Sequence, residues 1–189
     1  SVEMAKKYGV ELVVLSSLTR AEGTVVKEET KVERMLVSGV AVDKNTARIS
    51  VLGVKNEPGI AFRIFNMLAK NQINVDIIIQ SVGREDKKDI SFTVARTDLA
   101  EALDILNENK ETFTASEITC DETVAKVSII GAGMVSNPGV AAKMFEALAN
   151  GDVNIKMIAT SEIRITVLID EQDANRAMRL VHDAFDLAD

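Results

Sequence analysis

The sequence predicts an α+β fold in which one βαββαβ unit is used twice, the first copy inserted within the second. Three observations lead there. Residues 57–81 and 137–161 are the same segment at an offset of 80, with nine identities in 25 positions and the chain's only two prolines, Pro58 and Pro138, in register. The first copy reads as strand, helix, strand, strand, helix, strand, whereas the second stops one strand short. A spare strand-like run, residues 35–42, lies upstream of both. A repeat at fixed spacing defines the structural unit, and two copies are too few for a solenoid.

Residues 48–54 are β-branched and apolar, which favours a strand. Asn56-Glu57-Pro58-Gly59 is a turn that also starts a helix, with Pro58 near the first helical position, where its missing N–H costs little. Ala61, Ile64, Phe65 and Leu68 keep helical spacing to about Asn71. Residues 73–82 form a second strand and 83–88 a polar hairpin loop. In a third strand, 89–95, Ile90, Phe92 and Val94 share one face. Asp98 caps a second helix with Leu99, Ala102, Leu103 and Leu106 as its stripe. Residues 116–120 are short and β-prone. This is the ferredoxin-like order.

The second copy repeats it. Residues 127–132 echo 49–54, with a loop two residues longer before Pro138. A helix at 139–150 and strands at 153–160 and 163–169 follow. Asp173 opens a last helix through Ala177, Leu180, Val181, Ala184 and Phe185. The missing fourth strand is assigned to 35–42, so the units are 44–121 and 35–43 plus 122–189. Residues 1–30 fit neither unit. A helix at 1–8, a buried strand at 10–15 and a turn at 21–23 read as the tail of another domain.

Composition is that of a globular protein, 47% hydrophobic and 27% charged. A net charge of −7 without a basic run offers no surface to nucleic acid or an anionic membrane. The single Cys120 rules out an internal disulfide, fits a reducing compartment and is expected to be a buried thiol. No apolar stretch reaches spanning length and no signal peptide is read at the start, so a cytoplasmic location is expected. Phe62, Phe65 and Phe145 fall on helices at core spacing. Only Phe92 lies on a candidate strand, against an RNA-binding version of this fold. His182, the only histidine, sits on a polar helix position. No catalytic residue, metal ligand set or cofactor motif is found.

The remaining chemistry lies in the duplicated loops. The strand-loop-helix at 53–61 presents backbone N–H groups at a helix N-terminus, which suits a carboxylate or phosphate. Gly59 allows close approach to the backbone. A plain capped turn uses the same residues, and both readings stand. Asn74 and Asn154, opening both second strands, can each donate and accept hydrogen bonds.

Val51-Leu-Gly-Val-Lys-Asn-Glu-Pro-Gly-Ile-Ala61, Gly131-Ala-Gly-Met-Val-Ser-Asn-Pro-Gly-Val-Ala141 and Ile158-Ala-Thr-Ser-Glu-Ile-Arg-Ile-Thr-Val167 resemble the paired ACT domains of the aspartokinase family. The resemblance runs from about Lys31 to Asp189, and residues 1–17 resemble the end of the kinase domain. It implies a C-terminal regulatory region or a separate small subunit. Such a chain does no catalysis itself and serves an enzyme that phosphorylates L-aspartate with ATP. It implies feedback inhibition by lysine or threonine, or both together. It also implies a homodimer in which each first unit lies beside a partner's second unit, acting on a kinase domain or α subunit. One pocket would use Asn56, Gly59, Ala61 and Gln80, closed by Asn154 and Ile155. A second would use Ser136, Gly139, Val140 and Ala141 with Asn74, Val75 and Asp76, near Ser161 and Glu162. Asn56 replaces a common Asp, Gly83 and Ala141 replace possible hydroxyl residues, and Asp76 is matched by Lys156 in the other copy. The other readings are a free-standing ACT-pair sensor and a small ferredoxin-like enzyme such as an acylphosphatase. The latter needs an Arg at the phosphate, and the Pro-Gly loops carry none.

Overall fold

The computed structural model describes residues 10, 12–15, 24–26, 37–81, 86–131 and 137–187. Residues 1–35 and 36–189 form two units. In the first, β1 (Leu12–Val14) pairs antiparallel with β2 (Thr24–Val26). Val10, Val13, Val14 and Leu15 are exposed, so the expectation of a buried strand is corrected. A three-residue ribbon has too little neighbouring surface to cover its faces. The expected helix at 1–8 and turn at 21–23 lie outside the described residues.

The larger unit carries β3 (Gly39–Lys55), α1 (Ile60–Lys70), β4 (Val75–Gln80), β5 (Lys87–Val94), α2 (Leu99–Glu108), β6 (Glu117–Ile130), α3 (Val140–Asn150), β7 (Met157–Thr160), β8 (Arg164–Asp170) and α4 (Ala174–Ala184). Its strands make a six-stranded antiparallel sheet in the order β4-β5-β3-β6-β8-β7. The strands read as 35–42 and 48–54 are one strand of 17 residues, and those read as 116–120 and 127–132 are one of 14. Asp43 to Thr46 and Asp121 to Thr123 look like loop sequence. They are carried through because antiparallel pairing uses backbone groups only, with register shifts absorbing the irregularity.

Each long strand serves two modules. The second half of β3 lies between β5 (Ala47↔Val94) and the first half of β6 (Val51↔Ile118). The second half of β6 lies between β8 (Val127↔Val167) and the start of β3 (Val40↔Ile129). Each module therefore has four strands in ferredoxin-like order with two helices on one face.

Two cores follow from this pattern. Ile49, Val51, Ile90 and Phe92 pack under Ile60, Ile64, Leu68, Ala102 and Leu106. Val127, Ile129, Ile165 and Val167 pack under Val140, Met144, Leu148, Ala177 and Val181. In α1 the buried positions are four residues apart, the repeat of one helix face. Phe62 lies about 200° from Ile60 around the helix and is 70% exposed, which corrects its assignment to the core. Pro58 lies in the turn two residues before the first helical residue, Ile60, with Gly59 between them.

At the junction Ile77, Val124, Met157 and Leu168 make a third, small core on the face opposite the helices, with Thr46 and Thr93 buried nearby. Arg96 and Glu171 join at 2.8 Å, linking the short turns that precede α2 and α4. Asp98 and Asp173 hold the N-cap positions of α2 and α4, as expected, but neither makes a side-chain cap hydrogen bond. Asp98 instead accepts a hydrogen bond from the Thr97 hydroxyl. Cys120 is exposed, which corrects the expectation of a buried thiol: over 117–121 β6 has β3 on one side only, because β8 pairs from Val124 onward. Among the described residues no helix is long and apolar enough to cross a membrane.

Candidate effector site

Both Pro-Gly loops adopt one geometry. Gly59 has φ 93° and ψ −12°, and Gly139 has φ 98° and ψ −11°. With proline before them, these are the values of the second central position of a type II turn, where glycine avoids the Cβ penalty. The first helical hydrogen bonds run from Arg63 N–H to Gly59 O and from Lys143 N–H to Gly139 O, both 2.9 Å. The N–H groups of residues 60–62 and 140–142 thus have no acceptor within their helices. A Cβ placed on Gly59 or Gly139 would meet nothing within 4 Å. Among the described residues, nothing therefore crowds the side of either turn that a glycine substituent would occupy.

Neighbouring contacts hold the first loop. Gly53, at φ 65°, donates its N–H to Asp89 at 2.8 Å, and a Cβ there would collide with the Ser116 hydroxyl. Asn56 N–H donates to Asp86 O at 2.8 Å. Glu57 pairs with Lys55 at 2.9 Å and Arg63 at 3.6 Å, across the turn. In the second module, Gly131 N–H donates to Ile163 O at 3.0 Å.

Within one chain the sequence-predicted residues fall into separate groups. Asn56, Gly59, Ala61 and Gln80 gather at the end of the first module away from the junction. Gln80 pairs with Ile90, and Ser81 N–H reaches Asp89 O beside Gly53. Gly139, Val140, Ala141, Ser161 and Glu162 occupy the corresponding end of the second, where Ser161 N–H donates to Arg164 O at 2.7 Å. Val140 is buried and can offer only its backbone. Asn74, Val75 and Asp76, and Asn154 and Ile155, sit at the junction ends of β4 and β7. Val75 and Gln80 are separated by the length of β4, about 17 Å. Ser136 lies outside the described residues.

The junction holds a network of charged groups, of which only Asp76 is expected at a pocket. Lys126 Nζ donates to Asp76 at 2.7 Å and lies 3.0 Å from Asp43. Lys156 Nζ lies 2.8 Å from Asp121 and 2.6 Å from Asp170, and Arg48 approaches Asp121 at 3.5 Å. A depression of about 130 Å³ beside Lys126 is lined by Asp43, Asp76, Ser128, Arg164 and Thr166, with Ser128 and Thr166 hydrogen-bonded at 2.8 Å. For Lys126, burial is the largest influence and lowers the pKa, but hydrogen bonds to Asp76 and Asp43 and their charges outweigh it and raise it. Lys156 is raised chiefly by its bonds to Asp121 and Asp170.

For Asp121, burial is again the largest influence and acts upward. The Lys156 hydrogen bond, the Thr123 hydroxyl and N–H, and the Lys156 charge outweigh it and hold the carboxyl at about 2, against an ordinary 3.8. Because the folded value lies below the unfolded one, the stabilisation is present above about pH 4 and is lost as the pH falls toward 2. At full strength it is roughly 2.5 kcal/mol, and solvent screening reduces it to about 1 kcal/mol. Asp121→Asn is therefore expected to cost about 1 kcal/mol in urea unfolding at pH 7 and almost nothing at pH 2. An equal cost at both values would remove the ion pair as the cause.

Comparison with known proteins agrees with this fold. The ACT domain family model matches residues 49–109 and again 127–185. An aspartokinase of Helicobacter pylori is 47% identical over 194 residues, covering 99% of this chain and 47% of its own length. An aspartokinase of Bacillus sp. strain MGA3 is 43% identical over 189 residues, covering all of this chain and 46% of its own. The chain thus spans about half the length of these relatives. A crystal structure of aspartokinase alpha and beta subunits matches at 48% identity and a TM-score of 0.75, over 80% of this chain and 99% of that one. The ligand-free regulatory subunit of aspartate kinase from Thermus thermophilus matches at 43% identity and a TM-score of 0.76, over 79% and 99%. Two ACT modules joined through shared strands, together with this coverage, place the chain in the aspartokinase family, as its tandem ACT-domain regulatory region.

Proposed function

We propose that this chain is the amino-acid-sensing part of an aspartokinase. Threonine, alone or with lysine, binds it and thereby inhibits ATP-dependent phosphorylation of L-aspartate by a kinase domain or α subunit. The observation carrying this reading is the pair of Pro-Gly turns of matching geometry, each leading into a helix whose first N–H groups lack intrahelical acceptors, with no described atom where a side chain on the glycine would sit. The N–H groups suit an effector carboxylate, and side-chain amides and carbonyls suit its ammonium. The modules are 44–121 and 35–43 plus 122–189, the first inserted in the second, a division supported by the pairing of 39–43 with 126–130. The working protein is a cytoplasmic homodimer. Asn154 and Ile155 lie at the far end of the chain's own second module from its loop, so a second copy is the natural source of the residues that close each pocket. The outer strands β4 and β7, with Ile78, Ile79 and Ile158 exposed, offer edges for that pairing.

A thermal-shift screen with lysine, threonine, methionine and isoleucine, singly and mixed, tests the reading. Stabilisation by threonine, alone or with lysine, is expected, and equal indifference to all four would reject it. Sizing at tens of micromolar is expected to return a dimer; a monomer with and without effector would reject the shared pocket.

A further inference from the structure

Positions 76 and 156 are equivalent in the repeat yet carry opposite charges. Each meets the opposite charge on the other module. Asp76, at the start of β4 in the first module, accepts from Lys126 on the second module's half of β6. Lys156, just before β7 in the second module, donates to Asp121 on the first module's half of β6. The lysine side chains are 16% and 19% exposed, so their stems are largely covered, and each ammonium group is held between two carboxylates. Ile77 and Met157, the next residues in each copy, complete the junction core with Val124 and Leu168. Asp43 and Asp170 anchor the same two ammonium groups from the second module's own strands.

We propose that Lys126 and Lys156 are positioning residues for effector binding. Each clamps one asparagine-led segment, 74–76 or 154–156, to the opposite module, so that a ligand held by one segment is felt across the junction. The proposal rests on the amino-acid-binding reading above. Asn74-Val75 and Asn154-Ile155 immediately precede the clamped residues, so moving either asparagine strains a short ion pair rooted in the other module. Coupling of this kind is reciprocal between the two pockets.

The test uses the intact chain and its Lys126→Met, Lys156→Met and Lys126→Arg variants. Methionine keeps an apolar stem without the charge, and arginine restores the charge. In unliganded protein, amide exchange over 75–80 is expected to quicken about tenfold in Lys126→Met, with 64–68 unchanged and Lys126→Arg close to wild type. Lys156→Met is expected to do the same over 157–160. Threonine affinity is expected to fall about tenfold in each methionine variant and to recover in Lys126→Arg. Unchanged exchange and affinity, or a uniform quickening over the whole unit, would overturn the clamp. A wild-type chain that takes no threonine would reject the sensing function and the clamp's ligand role with it. Exchange in the unliganded chain would still decide the clamp itself.

Discussion

Phe92→Ala is expected to cost about 4 kcal/mol and to lower the melting temperature by roughly 8–16 °C. Phe92 is fully buried on β5, opposite Ile49 of β3 and Ile78 of β4. Its ring meets Phe65 edge-on, with centroids 5.2 Å apart and planes at 75°. Removing it forfeits the transfer of a large apolar group, leaves a cavity and ends an aromatic pair worth about 1 kcal/mol in itself. The core residues around it come from β3, β5, α1, α2 and the turn at Lys110–Phe113, so no single side chain can move in to fill the space. Phe62→Ala, on the exposed side of α1, is expected to stay within about 0.5 kcal/mol of wild type. Urea unfolding of both variants checks the pair. A loss below about 1 kcal/mol for Phe92→Ala would mean that this ring does not organise the first core. The same burial keeps Phe92 off the open sheet face, where a base-stacking aromatic would have to sit.

Saturating threonine is expected to raise the melting temperature by roughly 5–11 °C. A ligand of the native state at about 100 times its dissociation constant contributes about 2.7 kcal/mol, and a chain of this size gains a few degrees for each. Gly59→Val is expected to abolish most of that shift. The fold has room for the side chain, since a Cβ at Gly59 meets nothing within 4 Å, but the positive φ is strained for valine by about 1–2 kcal/mol. The new methyl groups would stand over the N–H groups that the effector carboxylate requires. Asn154→Ala would remove a polar partner, a loss of about 1–3 kcal/mol in binding where a ligand group is left unpaired. Undiminished shifts in both variants would move the pocket elsewhere.

What the sequence disclosed divides along a physical line. The repeat, the helices and their buried faces are local patterns, and Ile64 and Leu68 or Met144 and Leu148 announce themselves by spacing. The positive φ of Gly59 and Gly139 is legible in the Pro-Gly dipeptide. The continuity of β3 and β6 is not, because Asp43-Lys44-Asn45 and Asp121-Glu122-Thr123 carry turn-like side chains on a bulged but unbroken backbone. Lys126 and Lys156 are silent for a different reason. Their partners Asp76 and Asp121 lie 50 and 35 residues away, and only the junction brings them together. The opposite charges at 76 and 156 were the visible trace. Cys120 misleads because strand sequence does not reveal which half of a strand lacks a neighbour.

The sensing function is tested most directly by calorimetric titration of threonine into the intact chain, alone and with lysine present, alongside Gly59→Val and Asn154→Ala. Saturable heat from wild type is expected, weakened at least about tenfold, or about 1.4 kcal/mol, in each variant. Absence of heat from wild type under both conditions, or unaltered affinity in both variants, would contradict amino-acid sensing at these loops.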